Sequence, residues 1–331
     1  MAKSDVLGLQ QIDAVHFHVG NLERSRSYWV DRLDFVEVGR TTDDAARGAG
    51  QRSVCVRAGE AMYQLTSPER SDSSSGRYLA RHPDGVAEIV FRTADVRTCF
   101  TALESRGAAI IHDVVEADTP GGRRKWFSVT TAFGDVVFTF VERDAAAWLP
   151  AGMEPVAPAK QGNRFGFGSI DHVTSNFLTL KPLVAWCKQV LGLEEYWGIE
   201  FHTRDYATVE GPGSGLKSVV LWDPHSGLKF ANNEPLRPFF EHSQIYLFVE
   251  DNRGPGVQHT ALTIADIVGT VRAMRGAGLA FMPTPQTYYD ALPERLDEAG
   301  ITLDEPIPTL AENEILVDGE GPGKYLLQIF G

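Results

Sequence analysis

Two histidines, His172 and His259, are the residues of this 331-residue chain whose type and setting best fit chemistry. Each sits in a short strand-like run. His172 follows Ile170-Asp171, and His259 follows Gly254-Pro255-Gly256-Val257-Gln258. Alternate side chains of a strand share a face. Val257, His259 and Ala261 are therefore expected to point one way, and Gln258 and Thr260 the other. An imidazole on such a face is a metal ligand or a hydrogen-bonded core residue, and taken alone the core reading is the commoner one.

The chain carries its own comparison, because its second half repeats its first. Residues 85–111 align without a gap to 256–282, with Gly85/Gly256, Val86/Val257, Asp95/Asp266 and Gly107/Gly278 among the identities. Ile12-Asp13-Ala14-Val15 likewise matches Ile170-Asp171-His172-Val173. Position 14 is alanine where the second half has His172, and position 88 is glutamate where it has His259. The fold does not need histidine at either place, so the pair in the second half reads as metal ligands. Two histidines and one carboxylate make a facial triad, which leaves positions open for substrate and O₂ and suits non-haem Fe(II); zinc in a His-rich site is the alternative.

The elements that position these residues follow from periodicity and punctuation. Residues 12–19 alternate as a strand, and Asn21 can cap a helix bearing Tyr28, Trp29 and Leu33. Strand patterns follow at 52–57, 61–65 and 85–91, with a Ser-rich loop over 67–77. Asp95 caps a helix carrying Val96, Cys99, Phe100 and Leu103, and Gly107 ends it. Residues 126–131 and 136–141 form a hairpin. The stretch 150–162, with three prolines and two glycines, reads as a linker. Beyond it the pattern restarts with a helix over 179–193 and strands near 217–222 and 244–249. Each half holds two βαβββ modules, which gives an α+β fold of two domains, 1–150 and 164–331.

Composition sets outer bounds. Hydrophobic residues make up 43% and the net charge is −13, so nucleic acid and anionic membranes are not expected partners. No apolar run approaches the ~18 residues of a membrane span. The start, Met-Ala-Lys-Ser-Asp, lacks a signal-peptide core, so a cytoplasmic protein is expected. Cys55, Cys99 and Cys187 are too sparse for a disulfide framework or a zinc site and read as core residues. His16 and His18 share a strand face and read as structural. His82, His112, His202, His225 and His242 read as surface residues. Gly211 to Gly215 lacks the Lys-Ser/Thr of a phosphate loop, and the acidic stretch 294–305 reads as a solvated helix face.

Five segments taken together resemble the 4-hydroxyphenylpyruvate dioxygenase family of the vicinal oxygen chelate superfamily. They are Ile170-Asp171-His172, Asn233-Glu234-Pro235, Gly256-Val257-Gln258-His259, Thr287-Tyr288-Tyr289 and Tyr325-Leu326-Leu327-Gln328-Ile329-Phe330. The resemblance spans nearly the whole chain, weakly before residue 150 and strongly over 165–330. It implies two vicinal-oxygen-chelate domains, with Fe(II) held by His172 and His259 in the second. It implies as partners a small aromatic 2-oxo acid and O₂, converted to homogentisate and CO₂ in tyrosine catabolism. Ser218 and Asn233 match substrate-binding positions, and Gln244, Gln258 and Gln328 match catalytic positions, where neutral amides and a hydroxyl bond substrate without adding charge. The same resemblance admits 4-hydroxymandelate synthase, or a relative that binds an aromatic acid without turnover.

One departure stands out. The family's third ligand is a glutamate on the strand after Leu-Leu-Gln-Ile-Phe. By the hairpin spacing of the first half, centred on Thr139, that position falls about seven residues past Gly331. A shortened chain, a substitute carboxylate such as Glu312 or Glu314, or a metal-poor relative would each account for it. An open sheet edge there predicts self-association into a homo-oligomer.

Overall fold

The computed structural model describes residues 2–202, 215–236, 240–321 and 324–331. The first half is built on β1 (Leu9–His18), β2 (Val36–Thr41), β3 (Gln51–Ala58), β4 (Ala61–Pro68), β5 (Gly85–Thr93), β6 (Ile110–Thr119), β7 (Gly122–Val129), β8 (Val137–Arg143) and β9 (Met153–Pro155). These nine form one sheet in the order β6-β7-β8-β5-β1-β4-β3-β2-β9. The second half has β10 (Phe167–Asn176), β11 (Glu194–His202), β12 (Gly215–Trp222), β13 (Lys229–Pro235), β14 (Gly256–Ile264), β15 (Leu316–Gly321) and β16 (Lys324–Gln328). Its sheet runs β11-β12-β13-β10-β14, with β15-β16 as a separate pair. The orders superimpose: β1, β4 and β5 answer to β10, β13 and β14. In the first half β8 lies between β7 and β5; among the described residues no strand lies between β16 and β14.

The register confirms the repeat residue by residue. Ala14 lies opposite Val90 and His16 opposite Glu88, just as His172 lies opposite Ala261 and Thr174 opposite His259. Position 14 is therefore the counterpart of His172, and Glu88 that of His259.

Both halves share one core. Phe230 of β13 packs among Phe91, Phe133 and Phe138, with ring centroids 5.7–5.8 Å away. The helix Val96–Ser105 is capped by the Asp95 carboxylate, which accepts from the amides of Arg97 and Thr98, and it buries Val96, Cys99 and Leu103 at helical spacing. All three cysteines are free and buried. No helix among the described residues is long and apolar enough to cross a membrane.

Four expectations are corrected. Residues 244–249 are helical, within Gln244–Asp251, not a strand. The apolar run Ile-Tyr-Leu-Phe-Val suits either period; the Ser243 hydroxyl caps the amide of Ile245, and Ile245 and Val249, four apart, are the buried pair. Within the expected linker, β9 pairs with β2 and completes the first sheet. The Ser-rich loop ends in a helix, Ser74–Leu79, capped by Ser73. His82 is buried, not at the surface. Its Nδ1 bonds the Asn252 carbonyl at 2.6 Å and its Nε2 the Asp135 carboxylate at 2.7 Å, which ties the segment leading into β14 to the first half. Gly134 (φ +71°) lets the β7–β8 turn press against the Pro255 carbonyl, where a Cβ would collide.

Candidate metal centre

Two β-bulges set the histidines. In the β10–β14 pairing Ile170 faces Leu262 and His172 faces Ala261, which leaves Asp171 as the extra residue. On β14, Val257 faces Ser175 and His259 faces Thr174, which leaves Gln258 extra. A bulge breaks the two-residue alternation and re-aims side chains. Val257 therefore joins the shared core, with Leu262 and Ile264 packed against it, rather than sharing the face of His259. Each bulged residue also swings toward the histidine that follows it. Asp171 Oδ2 lies 2.8 Å from His172 Nδ1, and Gln258 Oε1 bonds His259 Nδ1.

These contacts set the tautomer. The carboxylate and the amide oxygen only accept, so each imidazole donates from Nδ1, which leaves Nε2 as the nitrogen for a metal. The bond from His172 holds the Asp171 carboxyl below its usual range, with Lys229 at 3.5 Å adding to the effect. Burial, and secondarily His172, push His259 down to about 4. His259 is thus neutral near pH 7. The ring centroids are 6.1 Å apart and the planes tilted by 71°, near enough for both imidazoles to reach one ion. Oriented neutral imidazoles with their second nitrogen engaged are what a transition metal requires of histidine ligands. The pair could supply two ligands to a metal ion. Among the described residues no group of three His, Cys, Asp or Glu side chains gathers around a metal position. Glu312 and Glu314 do not supply the third. Glu314 pairs with Arg275 and Glu312 lies 3.7 Å from Arg272, both on the helix Ile267–Gly276.

The same place in the first half is closed to metal by its own side chains. Ser128 and Thr139 hydroxyls lie 2.6 Å apart, Thr139 donates to Glu88, and Glu88 meets His16 Nδ1 at 2.5 Å. This chain crosses four adjacent strands, β7, β8, β5 and β1, and it pulls the Glu88 carboxyl down to about 2 against the penalty of burial. Below it, Ala14, Val90, Leu149 and Met153 fill the interior. His16 is engaged by Glu88 within this chain of bonds. His18 is pushed down to about 4 by burial and then by His16, and its Nδ1 has no hydrogen-bond partner among the described residues.

A pH dependence follows. A histidine whose pKa is lower folded than unfolded takes up its proton only at a cost, so its contribution is complete above about pH 6.5 and is lost as pH falls toward 4. The metal-free protein is expected to lose up to ~3 kcal/mol from His18 over that window. Urea midpoints of wild type and His18→Gln between pH 4 and 7 check this: the variant should show the shallower slope.

The other candidate residues divide. Ser218 on β12 and Asn233 on β13 are register partners, and Asn233 faces Asn176 on β10. Asn233 Nδ2 donates to Asn176 Oδ1 at 3.1 Å. Asn176, Asn233 and Ser218 form a polar row across three strands. The row lies four residues, about 13 Å, along β10 from His172. Gln328 bonds the half-buried Asp318, and Phe330 just beyond it brings its ring to 5.2 Å from His259, so β16 ends beside the pair. Gln244 is not brought in; it is exposed at the start of its helix. Neither Asn176 nor the bond from His172 to Asp171 is legible in the sequence. Asparagine at the end of a strand looks like turn chemistry, and no periodic signal marks a bulge.

Comparison with known proteins places the chain in a family. Residues 11–139 match the Glyoxalase/Bleomycin resistance protein/Dioxygenase superfamily model. The 4-hydroxyphenylpyruvate dioxygenase of Coccidioides posadasii is 31% identical over 99% of this chain and 85% of the relative. This chain belongs to the 4-hydroxyphenylpyruvate dioxygenase family. The family's member from Dictyostelium discoideum is 29% identical over 97% of this chain and 88% of its own. A 4-hydroxymandelate synthase variant from Streptomyces coelicolor has the same fold at a TM-score of 0.77, with 27% identity and coverage of 97% and 88%. Membership makes the chain an enzyme of the dioxygenase class on a vicinal-oxygen-chelate fold.

Proposed function

We propose that this protein is an Fe(II)-dependent dioxygenase that converts 4-hydroxyphenylpyruvate and O₂ to homogentisate and CO₂, with His172 and His259 as metal ligands in the second of two domains. The observation that carries the reading is the pair of bulges, which brings the imidazoles of His172 and His259, each engaged at Nδ1, to a ring separation of 6.1 Å. Their counterparts in the first half are Ala14 and Glu88. Family membership at 31% identity supports the same reaction class.

Bound iron would supply the redox chemistry that couples decarboxylation of the 2-oxo acid to hydroxylation. The chain's own residues bind and orient. Ser218, Asn233 and Asn176 offer neutral donors and acceptors at a distance from His172 that suits the phenol end of an aromatic acid held at the histidines. Gln258 holds the proton on His259 Nδ1, and Gln328 lies on the strand that ends beside it. Phe330 shields one side of His259 from water.

A second reading, 4-hydroxymandelate synthase, is favoured by the structural match to that enzyme. One experiment separates the readings: iron analysis, O₂ uptake with 4-hydroxyphenylpyruvate, and identification of the product. Homogentisate supports the first reading and 4-hydroxymandelate the second. Absence of both iron and O₂ uptake overturns both and leaves a binding protein.

A further inference from the structure

β14, which carries His259, is the end strand of its sheet. Among the described residues it pairs with β10 alone. Further anchors for β14 come from the first half of the chain.

The closest is Tyr63. It is fully buried on β4, stacked on Trp29 at 4.2 Å and packed by Phe17 and Phe35 at 5.8–5.9 Å. Its hydroxyl lies 2.9 Å from the hydroxyl of Thr260. Thr260 directly follows His259 and sits two residues past the bulge at Gln258. A hydroxyl in so apolar a setting costs free energy unless bonded, so the pair fixes the height of β14 against a rigid aromatic stack.

The repeat shows that packing alone does not call for this bond. Val15 lies between Tyr63 and Ile89 in the first sheet, and Val173 lies between Phe230 and Thr260 in the second. Tyr63 is thus the counterpart of Phe230, and Thr260 that of Ile89. The related pair, Phe230 and Ile89, is wholly apolar and lies in the same core. The symmetry of the two halves breaks into a hydrogen bond on one side only, the side behind His259.

We infer that Tyr63 is a positioning residue: from the half without the histidine pair, it holds β14 through Thr260 and so sets where His259 stands. The metal consequence rests on the reading of His259 as a ligand; the mechanical consequence does not.

The test uses the full-length chain. Tyr63→Phe keeps the stacked ring and removes the hydroxyl, Thr260→Val removes the partner, and the double variant removes both. Hydrogen–deuterium exchange of the metal-free protein should rise about tenfold over 256–264 in each single variant. Exchange over 85–93, the equivalent segment, should stay as in wild type. The double variant should exchange no faster than the singles, because neither hydroxyl is then left unpaired. Fe(II) affinity should fall roughly tenfold in Tyr63→Phe, the scale for groups that orient a ligand. Unchanged exchange over 256–264, or an equal rise in both segments, overturns the inference. If wild type binds no Fe(II), the proposed function fails and the exchange data alone decide whether Tyr63 holds the strand.

Discussion

Alanine in place of His259 is expected to lower Fe(II) affinity by at least about 100-fold, more than the 10–100-fold typical of an outer-shell change. His16→Ala should leave affinity within twofold of wild type. The two side chains differ in what their nitrogens do. His259 Nδ1 is held by Gln258, and its ring lies 6.1 Å from that of His172. His16 spends its Nδ1 on Glu88, and the space below that pair is filled by Ala14, Val90 and Met153. Iron content after desalting, with O₂ uptake as a second readout, checks both variants. Comparable loss in the two would sink the assignment of the metal to the second half.

The repeat made that contrast readable before any coordinates. Aligning 85–111 with 256–282 already set Glu88 against His259, and the register reproduces the match. What stayed hidden has physical causes. A bulge adds one residue to a strand and leaves no trace in a two-residue pattern, so simple alternation puts Val257 on the face of His259. The run after Ser243 satisfies strand and helix templates alike; a local cap decides it. His82 and Tyr63 act through partners 170 and 197 residues away, and no local pattern reports a contact of that range. The polar row fared better for Ser218 and Asn233 than for Gln244, whose placement depended on that strand being real.

The bulge that orients His172 has a twin in β1, and the twin's role is stability. Asp13 is the extra residue there, the counterpart of Asp171. Its carboxylate accepts from Arg143 Nε at 2.8 Å and Nη2 at 2.6 Å, and both side chains are wholly buried. Arg143 also donates to the carbonyls of Asp144 and Ala145 and lies 4.0 Å over the Trp148 ring. Arg143→Met would strand an ionised carboxylate in the core, a change that costs about 3–5 kcal/mol. The denaturant midpoint should fall accordingly, with the slope of the transition retained. Adding Asp13→Leu should recover part of the loss, since the stranded charge is then gone. At the other bulge the expectation inverts. Asp171 is partly exposed and its main partner is His172, so Asp171→Asn should shift stability by less than ~1 kcal/mol while lowering Fe(II) affinity ten- to a hundredfold. A loss below ~1 kcal/mol in Arg143→Met, or an unchanged metal affinity in Asp171→Asn, would show that the two bulges do not divide structure and chemistry between the halves in this way.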